Sequence, residues 1–205
     1  MNKVNALSGV VLSVLFASAT VGCSSQKQGR NADQGSKIAS TPSVYMQVRR
    51  NVGVASVYSD MYLSSTVGGV GGGMPLIRNI TKTLSNGVLV MRVNVRGGTL
   101  ANQEVWIDAS NVEARNQQAA DAYRAEAEQM AQSARDAGAV AGYWEAAANA
   151  ARFLCITGVG GSAALSIVTM GADTLGKAAL VTLIGANTLK PLLDCAGIEY
   201  AKFGM

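Results

Sequence analysis

The rhythm of apolar and polar positions changes several times along the 205 residues. After Lys3, an uncharged apolar run extends from Ala6 to Ala19, too short for a comfortable bilayer span. Residues 24–40 are polar and offer almost nothing to bury, which predicts a linker. From Ser43 to Asn111 the period becomes two. This alternation predicts strands over Val44–Arg50, Val52–Tyr58, Leu76–Leu84, Val88–Arg96 and Glu104–Asp108. Asn86-Gly87 supplies a tight hairpin turn, and Gly97-Gly98 ends the strand after it.

Beyond Asn111 the composition turns to Ala, Gln, Glu and Arg, all strong helix formers, and Asn111 itself is a suitable N-cap. A long helix is therefore expected over 112–152. Within it Gly138, Gly142, Ala146 and Ala150 recur every four residues, a face open to close helix approach. Tyr143 and Trp144 mark the passage to apolar chain, where a membrane interface would favour aromatics. A soluble helix packing its alanine face on a bundle fits the same residues. Phe153–Ala172 holds no charge over 20 residues, and Ala178–Leu189 is uncharged again after the break Asp173–Lys177. Residues 153–205 thus read as an apolar helical hairpin, membrane-active or buried in an oligomer. Cys155 and Cys195 are equidistant from residue 175, so folding the chain back at the break brings them level and predicts a disulfide.

Composition sharpens this outline. Hydrophobic residues make up 49% of the chain and charged ones 15%, but the shortage of charge is local. Residues 24–110 carry nine basic and four acidic groups, whereas 153–205 carry three of each. Histidine is absent, which removes Ser/His/Asp and Cys/His catalytic units and imidazole metal sites. We expect no enzyme, no catalytic residues, no cofactor and no metal. An enzyme would have to work through carboxylates such as Glu104 and Asp108, whose spacing has no compelling partner. The tract Gly68–Gly73 lacks the Lys-Ser or Lys-Thr of a phosphate loop and reads as a mobile loop. Gly158-x-Gly160-x-x-Ala163 lacks a βαβ setting, and Ser24-x-x-Lys27 lies in the linker. Nucleic acid is not an expected partner, because no basic face with stacking aromatics is present.

Two resemblances add to these readings. Ala19-Thr20-Val21-Gly22-Cys23 resembles the lipobox of bacterial lipoproteins, departing from it at Thr20. The resemblance implies a signal peptide over 1–22, acylation of Cys23 and a lipidated linker over 23–42. Ser24-Ser25 in place of acidic residues implies sorting to the outer membrane, with the protein facing the periplasm. Val88–Arg96, a glycine turn and Val105-Trp106-Ile107-Asp108-Ala109-Ser110-Asn111-Val112 resemble the closing strands of bacterial SH3-like (SH3b) domains, with Val105 where Gly is usual. That likeness implies a small SH3-like domain over 43–111 binding peptidoglycan peptides or envelope partners, with Trp106 as a possible ligand contact.

The expected fold class is therefore α+β: an SH3-like β-domain, a long helix, then an apolar helical hairpin. The expected function is an outer-membrane lipoprotein acting as a structural or assembly subunit of an envelope complex of the secretion or conjugation type. Its partners would be membrane lipid, envelope proteins or peptidoglycan, and further copies in a homo- or hetero-oligomer. A peptidoglycan- or peptide-binding lipoprotein is the alternative, and a surface-exclusion or pore-forming lipoprotein the third reading.

Overall fold

Alternating side chains from Tyr45 onward build an antiparallel sheet of seven strands, curled into a half-barrel and followed by five helices. The computed structural model describes residues 45–138 and 141–203, all within the compact unit Ile38–Met205. The strands are β1 (Tyr45–Val48), β2 (Val54–Tyr58), β3 (Thr66–Gly71), β4 (Pro75–Thr83), β5 (Leu89–Val95), β6 (Glu104–Asp108) and β7 (Val112–Ala114). Their order across the sheet is β3-β2-β6-β5-β4-β1-β7. Asn86-Gly87 turns β4 into β5 as the sequence predicts, with Gly87 at φ +83°.

Two strands depart from the sequence expectation. The glycine tract is not a loop: Thr66–Gly71 pairs along β2, with Val70 buried against the core. Glycine hides strand periodicity because it contributes no side chain to alternate. Asn111 does not cap a helix either. It closes a short 3-10 turn, after which Val112 pairs with Val48 and is completely buried. A place in the sheet for an apolar β-branched residue outweighs the local helix signal.

The expected continuous helix over 112–152 is two helices, α1 (Gln117–Asp136) and α2 (Ala141–Ile156). Asn116 caps α1, its side chain accepting from Ala119 N at 2.8 Å. Gly138, at φ +70°, follows the end of α1 in the left-handed conformation that terminates helices, so it shares no helical face with Gly142. The apolar segment then forms α3 (Gly161–Leu175), α4 (Lys177–Ile184) and α5 (Ala186–Cys195). Phe153–Ala172 is accordingly no single helix, being interrupted between Ile156 and Gly161. The chain does break inside Asp173–Lys177, at Gly176. At Gly171 a Cβ would stand 2.5 Å from Leu180 Cδ1, so a bare backbone lets α4 fold back on α3. Among the described residues no single helix is long and apolar enough to cross a membrane; α3 and α4 meet that test only as a pair bent by 116°.

Sheet and helices share one core. Met46, Leu76, Met91 and Ile107 from the strands join Tyr123, Trp144, Phe153, Leu154, Ile167 and Leu192 from the helices, all completely buried. Trp144 is therefore a core residue and not an interfacial aromatic. Alanines 127, 131, 147, 148 and 151 keep α1 and α2 thin where they meet, which accounts for the alanine-rich stretch without a bilayer. Replacing Trp144 by Ala is expected to cost about 3–5 kcal/mol of stability in urea unfolding, the range for a large core aromatic. A loss below about 1 kcal/mol, typical of a surface position, would place the indole outside the core.

Candidate functional site

The two faces of the sheet differ chemically. On β6, Val105 and Ile107 are buried toward the helices, so Trp106 lies on the opposite, outer face, where it is half-buried. Register places it beside Tyr58 on β2 and Arg92 on β5, and Ile80 on β4 comes next in the same row. Arg92 forms an ion pair with Glu104, which also accepts from Asn79. Aromatic faces next to a guanidinium form a surface suited to stacking and hydrogen bonding. Tyr58, Arg92 and Ile80 escape sequence reading because their strands become neighbours only in the sheet. The exposed loop after β2 is tied to Asp60, whose carboxylate accepts from the backbone N–H groups of Tyr62, Ser64 and Ser65 and from the Ser64 hydroxyl. The Ser65 N–H bond leads in holding this carboxyl below its ordinary pKa, with burial opposing it and the Ser64 and Tyr62 bonds adding to it.

Toward the helices, the sheet also carries polar groups. Arg78 pairs with Glu126, and its guanidinium sits 4.5 Å from the centre of the Tyr123 ring. Thr81 Oγ1 and Tyr123 Oη share a hydrogen bond at 3.3 Å, while Thr83 donates to Asn149 at 2.6 Å. Arg152 donates to Thr83 Oγ1 and to the Gly87 carbonyl, across the end of the β4–β5 hairpin. Burial pulls the Arg78 pKa down, but Tyr123 and Glu126 beside it reverse this, and the net shift is upward. Burial also raises the Tyr123 phenol, against the pull of Arg78 and Thr81. Burial lowers Arg152. A signal for this seam exists in the sequence: Glu126 interrupts the apolar stripe Tyr123, Ala127, Met130, Ala134. A carboxylate on a buried stripe requires a cation opposite.

The remaining predicted site residues fall elsewhere. Cys155 in α2 and Cys195 at the end of α5 are joined by a disulfide, with 5.9 Å between their Cα atoms. The pairing is the one the spacing predicts, but α3 and α4 lie between the two helices it links, in place of a two-armed hairpin. Closing a loop of 40 residues contributes about 4 kcal/mol in the chain-entropy model. Glu104 is engaged by Arg92 and Asn79, and Asp108 accepts from Ser110 N at 2.8 Å. Both carboxylates thus have structural partners, and the sheet brings no acid–base pair together from them. Of the stretch 158–163, residues 158–160 lie in the turn from α2 into α3 and 161–163 open α3, with no strand before them. Among the described residues, no cluster of three or more Cys, Asp or Glu is placed to hold a metal ion. Cys23, Ser24 and Lys27 lie outside the described residues.

No family model, curated protein or solved structure matches the chain.

The buried phenol gives a pH dependence with a definite sign. Because Tyr123 titrates higher in the folded protein, the unfolded chain loses its proton first, and stability is lost as pH rises past the ordinary tyrosine value of about 10. Urea melts of Tyr123→Phe at rising pH are expected to show a shallower alkaline decline than the unsubstituted chain. An unchanged slope would place the alkaline sensitivity in other groups.

Proposed function

We propose that this chain is an outer-membrane lipoprotein, anchored through acylated Cys23, that serves as a structural or assembly subunit of a cell-envelope complex. The observation that carries the reading is the short apolar stretch ending in Ala19-Thr20-Val21-Gly22-Cys23, followed in sequence by the polar residues 24–40. The Cys155–Cys195 disulfide supports export, since such bonds persist in oxidising compartments. One acyl-bearing residue at the head of a linker anchors a folded unit without spanning the bilayer. Of the two roles open to the apolar segment 153–205, packing within the protein and its oligomer suits the buried Phe153, Leu154, Ile167 and Leu192 better than insertion into lipid. Replacing Cys23 by Ser is expected to release the chain from the outer-membrane fraction and abolish acyl labelling. Unchanged fractionation and maturation would overturn the anchor.

The row Tyr58, Trp106 and Arg92 favours a second reading, an SH3-like receptor for peptidoglycan or an envelope peptide. The shared core means that the sheet is best tested in the intact chain. Pull-down on cell-wall sacculi is expected to be lost in Trp106→Ala and retained in Trp106→Phe, with the thermal melt of both close to that of the parent. Equal retention of all three would leave the assembly reading alone.

A further inference from the structure

Asn86 is the only asparagine of the chain that precedes a glycine. It stands exposed at the tip of the β4–β5 hairpin, beside exposed Ser85. Two helices hold the backbone on either side of it. Arg152 of α2 donates to the Gly87 carbonyl and to Thr83 Oγ1, and Asn187 at the start of α5 donates to the Ser85 carbonyl. The end of the hairpin is therefore docked on α2 and α5 through carbonyl oxygens that flank Asn86.

The same turn assembles the parts of a reaction. Val88 N–H donates to Asn86 Oδ1 at 3.0 Å, which bends the carboxamide back along the backbone past the Gly87 amide. That N–H rests on the oxygen that gains charge when the carboxamide carbon Cγ is attacked, as a donor in an oxyanion hole does. Gly87, at φ +83°, carries no side chain to shield Cγ from the nitrogen beside it, and the space a Cβ would take is open. Asn51, Asn94 and Asn111 precede valine and Asn79 precedes isoleucine, whose branched Cβ crowds the same approach. The Gly87 N–H donates to Leu84 O at 2.9 Å, so attack waits for this turn bond to open. An exposed hairpin tip opens locally without unfolding of the core.

We propose that Asn86-Gly87 is a self-modification site, where the chain converts its own asparagine to aspartate and isoaspartate and so loosens the hold of α2 and α5 on the hairpin. The Gly87 backbone nitrogen gives its proton to water and bonds to Asn86 Cγ. The Cγ–Nδ2 bond breaks, Nδ2 takes up a proton and leaves as ammonia, and a cyclic imide remains. Water then adds to either imide carbonyl. Breaking the Cγ–N bond gives aspartate. Breaking the bond from the Asn86 backbone carbonyl carbon to nitrogen gives isoaspartate, in which the main chain runs through Cβ and Cγ and the former backbone carbonyl is a free carboxylate. Asparagine and water thus become acid and ammonia, and nothing is oxidised or reduced. Isoaspartate inserts a methylene into the main chain between Ser85 and Gly87, so their carbonyls no longer keep the spacing that Asn187 and Arg152 require.

The test uses the purified full chain, held in warm, mildly alkaline buffer and mapped by mass spectrometry with detection of isoaspartate. Conversion at Asn86 is expected to run at least about tenfold faster than at any other asparagine. The isoaspartyl form, separated by chromatography, should melt about 2–8 °C below the untreated chain. Asn86→Asp adds the charge but keeps the main chain, and should melt within about 2 °C of the parent. Asn86→Gln closes the imide ring far less readily and should melt alike before and after the treatment. Conversion no faster at Asn86 than elsewhere would overturn the site. An isoaspartyl form that melts with the untreated chain would overturn the loosening.

Discussion

The ring of Tyr123 is the point at which sheet, α1 and α2 meet, and the arrangement of the rest depends on it. Phe153 of α2 packs edge-on against it at 5.2 Å between centroids, the Arg78 guanidinium lies over it, and its hydroxyl reaches Thr81. One side chain thereby fixes the height of both helices over β4. Around it the core departs from a purely apolar design. Arg78 and Glu126 are costly to desolvate, and an ion pair of this kind often contributes little net stability compared with well-packed hydrocarbon. What it does supply is register: a rotation of α1 that moved Glu126 off Arg78 would leave a buried carboxylate without its cation.

The helical half applies a different constraint. Alanine and glycine allow close packing, but small side chains bury little area each and fix no unique arrangement. The Cys155–Cys195 bond compensates by tying α5 to α2 around α3 and α4, so the short helices are held even though each has few large residues to bury. The proposed export is consistent with this bond, since disulfides persist in oxidising compartments.

The two faces of the sheet are used differently. The inner face of the sheet is consumed by the core and its polar seam. The outer face retains Trp106 with Tyr58 and Arg92, and the β2–β3 hairpin retains exposed valines and a tyrosine. This outer surface is the one on which the proposed recognition role rests.

Much of this was legible in the residues. Period-two alternation located five of the seven strands, Asn86-Gly87 located the principal hairpin, and cysteine spacing paired Cys155 with Cys195. These features are local, or depend on a count that survives any packing. Glycine concealed β3 because a strand without side chains shows no alternation, and β7 was hidden because three residues are too few to outweigh the helix formers that follow. The chain alone determined that an apolar C-terminal third must be buried somewhere. Only the tertiary structure decided where: Trp144, Phe153 and Leu154 are covered by α1 and the sheet, because a curled sheet presents an apolar face that alanine-thin helices cover closely. The row of Tyr58, Trp106 and Arg92 was likewise settled by strand order, since residues far apart in sequence become neighbours only when β6 is inserted between β2 and β5.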